Sequence, residues 1–96
     1  MQTAIIEVVN AKGLHARAAA KFVKVVSGYG VSLRVTKLAQ PGEEQQPAVG
    51  GTSILGLMML GADRGSKLQL EAEGDYEVEV LEALAALMAN KFGEGS

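Results

Sequence analysis

The chain has 96 residues, nine Lys+Arg against eleven Asp+Glu for a net charge of -2, one histidine and no cysteine. That length suits one domain, residues 1–96, which hides roughly 60–65% of its unfolded surface on folding. The absence of cysteine excludes disulfides and thiolate metal sites, a single histidine gives little to hold a metal, and the charge balance does not suggest a general nucleic-acid binder.

Thr3 to Val9 mixes Ile5, Ile6, Val8 and Val9 with Glu7 and reads as a strand, which Gly13 breaks. From Ala16 the spacing turns helical. Ala19, Phe22, Val23 and Val26 fall at i, i+3, i+4 and i+7, while Arg17, Lys21 and Lys24 share a second face. Ser27-Gly28-Tyr29-Gly30 stops this helix. Val31, Leu33 and Val35 then alternate with Ser32, Arg34 and Thr36, a half-buried strand. Gln40 to Glu44 is a polar turn. Gln45 to Val49 is expected to form a weak strand, confined to a sheet edge because Pro47 has no N–H to donate.

Gly50-Gly51 leads into a short helix ending at Leu60, with Thr52 or Ser53 as its cap. Lys67 to Glu73 alternates again, with Leu68, Leu70 and Ala72 on one side. Asp75 is expected to cap the last helix, whose buried stripe is Val80, Leu81, Leu84, Leu87 and Met88. Glu77 and Glu79 near its start and Lys91 near its end suit the helix dipole. The order is βαββαβα, and the short strands each carry one apolar face. Together they predict an α+β open-faced sandwich, a four-stranded antiparallel sheet covered on one face by three helices. The first residues lack the layout of a signal peptide, and no apolar run nears the ~20 residues that cross a bilayer. A cytoplasmic protein is expected.

Three features ask for a function. His15 sits where the turn at Gly13 meets a helix start, with Arg17 two residues on. Unpaired amides and the positive end of a helix favour an anion, and imidazole exchanges protons near neutral pH. These parts describe a nucleophilic nitrogen beside a place to hold phosphate. From spacing alone, a surface histidine at a helix cap and a solvated arginine are slightly favoured, because His-x-Arg is a common tripeptide. Second, Ile54-Leu55-Gly56-Leu57-Met58-Met59 has no polar face. Leu57 and Leu60 are expected to pack on the sheet, leaving Ile54, Leu55 and Met58 as an exposed patch for a partner. Third, Ser53 is a helix cap or a phosphorylation site, where added charge would leave the fold intact and alter the adjoining patch. Lys21 and Lys24 are a solvated face or part of a docking stripe.

Gly13-Leu14-His15-Ala16-Arg17-Ala18-Ala19 resembles the active-site signature of the histidine-containing phosphocarrier (HPr) family. Thr52-Ser53-Ile54-Leu55-Gly56-Leu57-Met58-Met59-Leu60 resembles that family's regulatory-serine helix, and the likeness extends from about Gln2 to Phe92. The resemblance implies a monomeric carrier without cofactor, metal, nucleic acid or membrane. Such a carrier takes a phosphoryl group from enzyme I and passes it to an enzyme IIA. It implies His15 as the phosphorylated residue, through Nδ1, and Arg17 as the phosphate-stabilising residue. It also implies Ser53 as the target of an HPr serine kinase/phosphorylase, and Ile54, Leu55 and Met58 as partner-binding positions.

Two departures stand out. Ala18 replaces a common proline and leaves one more N–H near the phosphate site, and Leu38 to Ala48 is longer than the family's usual hairpin, so a mobile loop without function is expected. Ala18, the Gly-Leu-Met-Met-Leu run and Lys91-Phe92-Gly93-Glu94 look most like the nitrogen-type, regulatory branch, which does not move sugar. A second reading is a binding module without phosphoryl transfer, controlled by phosphorylation of Ser53. A small-ligand sensor of similar topology has no pocket signature to support it.

Overall fold

Alternation along three sequence segments builds the sheet. In the computed structural model, which describes residues 1–95, β1 is Gln2–Glu7, β2 is Ser32–Lys37 and β4 is Lys67–Glu73, with a two-residue β3 at Val49–Gly50. The strands lie in the order β1-β4-β2-β3 and every pair is antiparallel. Leu33, Val35, Leu68, Leu70 and Ala72 are buried on one face, with Ala4 and Ile6 packed against them. The other face carries Glu7 opposite Lys67 and Arg34 opposite Glu71, with exposed Ile5 between them. Opposite charges directly across strands favour this register.

Helices α1 (Ala16–Tyr29), α2 (Ile54–Met59) and α3 (Glu77–Ala89) complete the βαββαβα order, and their apolar stripes meet the buried sheet face. On α1, Ala18, Ala19, Phe22 and Val26 are buried and Val23 is half-buried. The helix stops at Gly30, whose φ of 64° is the left-handed conformation that ends helices. On α2, Leu57 turns inward, followed by the buried Leu60. The α+β open-faced sandwich expected from the strand and helix periods is the architecture observed.

Five local expectations change. The first strand ends at Glu7, because Val8 pairs with the 65–66 turn instead. Its N–H donates to Ser66 O at 2.8 Å and its carbonyl accepts from Gly65 N at 2.7 Å. The weak strand shrinks from Gln45–Val49 to Val49–Gly50, still at the edge. Pro47 cannot donate, and the Gln45 side chain binds Lys37 O at 2.8 Å and Ala39 N at 3.0 Å, which draws the 38–46 segment into its own hydrogen-bonded loop.

Tyr76, not Asp75, occupies the cap position of α3, and no side chain caps it. Glu77, in the first turn, accepts from Gly74 N at 3.3 Å and so ties the helix start to the preceding turn, while its carboxylate suits the positive end of the helix. Lys91 lies beyond α3, which ends at Ala89, and Leu87 is only half-buried. The cause is Phe92, 1% exposed, which enters the core and pulls the chain out of its helical path.

Candidate functional site

The site begins with a glycine that has no alternative. Gly13 closes a turn by donating to Asn10 O at 3.2 Å, with φ +67°. A side chain there would run into Ala62 O and come within 3.0 Å of Asp63 Cα. The same Ala62 oxygen accepts the Leu14 N–H at 2.9 Å, so the 61–63 segment braces the residues leading into α1. His15 then takes an extended conformation (φ -77°, ψ -179°) and opens the helix without capping it through its side chain. Ala19 N–H is the first to close onto the helix, donating to His15 O at 2.8 Å. The amides of Ala16, Arg17 and Ala18 precede it and have no intrahelical acceptor. The His15 side chain is 28% exposed, so it is reachable from solvent but not loose.

A second segment arrives from the far end of the chain. After α3, Lys91, Phe92 and Gly93 take φ values of 53°, 55° and 77°, three successive left-handed residues. For Lys and Phe this conformation costs of order 1–2 kcal/mol each. Burial of the Phe92 ring, of order 1.5–3 kcal/mol, offsets much of that strain. Lys21 on α1 donates its ammonium to Phe92 O, and Glu94 N–H donates to Lys91 O at 2.9 Å. The strap thereby delivers the Glu94 side chain to His15. Glu94 Oε2 pairs with His15 Nε2, and Glu94 Oε1 accepts from Asn10 Nδ2 at 3.0 Å. The His15 hydrogen bond first, and that of Asn10 second, hold the Glu94 carboxyl below the usual carboxylate range, so it is ionised at neutral pH.

The resulting cleft, of about 530 Å³, is lined by Lys12, His15, Ala16, Arg17, Glu94 and Gly95. Arg17 and Lys12 are exposed and make no ion pair among the described residues. The structure therefore brings His15 and Arg17 together as expected from spacing. Lys21 lies on the same helix but is engaged by the strap carbonyl, while Lys24 is exposed. Ser53 and the α2 patch do not line this cleft, although α2 packs against α1. Ser53 caps α2, its Oγ accepting from Gly56 N at 2.9 Å. Ile54, Leu55 and Met58 are 41%, 68% and 41% exposed, and Met59 at 73% extends the patch.

Sequence reasoning missed Asn10 and Glu94 as site residues, and Phe92 as the anchor that aims Glu94. The available signal was Phe92 between a helix end and Gly93, an apolar ring with no reason to sit in a polar tail.

Comparisons with known proteins follow the same lines. Residues 2–90 match the family model described as PTS HPr component phosphorylation site. The phosphocarrier protein HPr of Pseudomonas aeruginosa is 46% identical over 90 residues, covering 94% of this chain and 93% of that protein. A crystal structure of HPr from Thermoanaerobacter tengcongensis aligns with a TM-score of 0.85 at 40% identity over 100% of both chains. A structure described as an HPr dimer from the same organism gives a TM-score of 0.69 at 40% identity, covering 98% of this chain and 100% of that one.

Proposed function

The chain belongs to the HPr family of phosphotransferase-system phosphocarriers, and from that premise we propose that it accepts a phosphoryl group on His15 from phosphorylated enzyme I and passes it to an enzyme IIA. One observation carries the assignment to His15. Its part-exposed imidazole stands at the head of a helix whose first amides lack intrahelical acceptors, in the same cleft as Arg17, which makes no ion pair among the described residues. A phosphoryl group brings about -1.5 to -2 charges and three acceptor oxygens, and amides and a guanidinium are suited to receive them. By itself Arg17 opposes the helix dipole at a cost of about 0.3–1 kcal/mol, and a bound phosphoryl group reverses that sign. Neutralisation is partial, which suits a carrier that must release what it accepts. In-line transfer then rests on positioning and charge balance, with docking enzymes completing the site.

Arg17→Ala is expected to slow phosphoryl transfer by about 10²-fold, as for loss of one charge-stabilising donor. Its melting curve should stay near wild type because Arg17 is exposed. Rapid-quench measurement with enzyme I, Mg²⁺ and phosphoenolpyruvate reads the effect, and a wild-type rate removes Arg17 from the mechanism.

The exposed apolar face of α2, with Ile54, Leu55 and Met58, supports docking of enzyme I and enzyme IIA in turn, and exposed Lys24 lies on the neighbouring helix. Lys21 belongs to the same docking face by sequence spacing, with its ammonium turned to the strap. Ala18, the Gly-Leu-Met-Met-Leu run and the Lys91-Phe92-Gly93-Glu94 segment support the nitrogen-type branch, so faster transfer to a nitrogen-type enzyme IIA than to a sugar-type one is expected. We take the working form as a cytoplasmic monomer. Sedimentation tests the monomer against the dimer described for the T. tengcongensis relative. Among the described residues, no helix is long and apolar enough to cross a membrane.

A second reading rests on Ser53, exposed at the cap of the α2 patch. Phosphorylation there keeps an oxygen acceptor for Gly56 N–H while placing charge beside Ile54 and Leu55. Incubation with an HPr serine kinase/phosphorylase and ATP should give an acid-stable phosphate on Ser53 and weaken docking to enzyme I by at least about tenfold. Ser53→Ala should take up no such phosphate and lose about 1 kcal/mol of stability from the cap. Absence of phosphate on the wild-type residue counts against this regulation.

A further inference from the structure

Nearly everything about the C-terminal strap serves one carboxylate. Three consecutive left-handed residues, the buried Phe92 ring and the Lys21 contact to Phe92 O all lie just before Glu94. Asn10 is fully buried and spends its amide hydrogens on Gly13 O at 2.8 Å and Glu94 Oε1 at 3.0 Å, while its Oδ1 has no partner among the described residues. A buried amide that leaves its acceptor idle is held for its donors. The turn before His15 and the strap are thus tied together at Glu94, and the second oxygen of that carboxylate meets His15 Nε2.

An ionised carboxylate can only accept, so the hydrogen between Glu94 Oε2 and His15 Nε2 comes from the ring. In the neutral imidazole that leaves Nδ1 without a proton and with its lone pair available. We propose that Glu94 is the positioning residue for phosphoryl transfer, holding the hydrogen on His15 Nε2 so that Nδ1 faces the cleft as the nucleophile. This rests on the phosphocarrier reading. When the Nδ1 lone pair forms the N–P bond, the donor's bond to phosphorus breaks and the donor keeps that electron pair. No proton leaves His15. The ring gains positive charge, its hydrogen stays on Nε2 and remains donated to Glu94, and the carboxylate balances the charge at that edge. On transfer onward, the N–P electron pair returns to Nδ1 and the neutral, correctly protonated ring is restored. Lys12 and Arg17 line the same cleft and offset the repulsion between Glu94 and an incoming phosphate.

The test pairs a spectroscopic reading with a rate. Two-dimensional ¹H–¹⁵N spectra of the ¹⁵N-histidine-labelled protein in mildly alkaline buffer should show the Nε2–H tautomer alone in the wild type. Glu94→Gln retains an acceptor oxygen and should keep that tautomer, with a rate between those of wild type and Glu94→Ala. Glu94→Ala should show a mixture of tautomers and accept phosphate from enzyme I about 10–100-fold more slowly, the range seen when a group orienting a functional histidine is lost. If wild-type protein takes up phosphate and Glu94→Ala matches it in tautomer or in rate, the Glu94 assignment is overturned while the carrier reading stands. If wild-type protein takes up none on His15, the carrier reading falls first and takes this proposal with it.

Discussion

Replacing His15 with alanine is expected to abolish phosphoryl uptake outright, not merely to slow it. The chain has no other histidine and no cysteine, so no second imidazole or thiol can stand in. Arg17, Lys12 and the free amides of α1 survive the change, but they stabilise charge on a group that nothing now attaches to the protein. The fold should survive as well. The His15 side chain is part-exposed and does not cap its helix, so its removal costs chiefly the hydrogen bond to Glu94, about 1 kcal/mol. Intact mass after incubation with enzyme I, Mg²⁺ and phosphoenolpyruvate should show one acid-labile phosphate on wild type and none on His15→Ala. An adduct that persists in the variant would defeat the assignment.

Gly13→Ala is expected to produce the largest loss of stability of any single methyl addition near the site. Two penalties coincide there. The backbone sits at φ +67°, and the new Cβ would strike Ala62 O and crowd Asp63 Cα. Strain in the left-handed region costs of order 1–3 kcal/mol, and backbone displacement adds to it, for a total of about 2–4 kcal/mol. In a domain of this size that lowers the melting temperature by roughly 10–20 °C. Function should fall further than stability, because Ala62 O is also the acceptor for Leu14 N–H, one residue before the imidazole. Gly30→Ala supplies the comparison: its φ is +64° but nothing lies within 4 Å of an added Cβ. It should show only the conformational cost, of order 1–2 kcal/mol. Equal losses at the two glycines would mean that the contact with Ala62 is unimportant.

The elements that read well from sequence are those whose signal is local. The stripe through Ala19, Phe22 and Val26, and the alternation in Ser32–Lys37 and Lys67–Glu73, follow from the periods of helix and strand. Ser53 as the α2 cap and Leu57 as its inward residue follow from the same local rules. Errors arose where a side chain competed with the backbone for hydrogen bonds. Gln45 captured the backbone of Lys37 and Ala39 and shortened β3, and Glu77 took the amide of Gly74 while no side chain capped α3.

What the sequence alone determined is the α+β architecture and the pairing of His15 with Arg17, two residues apart at one helix start. What only the tertiary structure decided is the partner of that histidine. Glu94 lies 79 positions away, Asn10 is tied to it across 84, and Lys21 reaches Phe92 across 71. Contacts at such separations leave no periodic trace in a sequence. They form because burial of Phe92 offsets much of what Lys91 and Phe92 lose in left-handed backbone, a balance that exists only once the core is there to receive the ring.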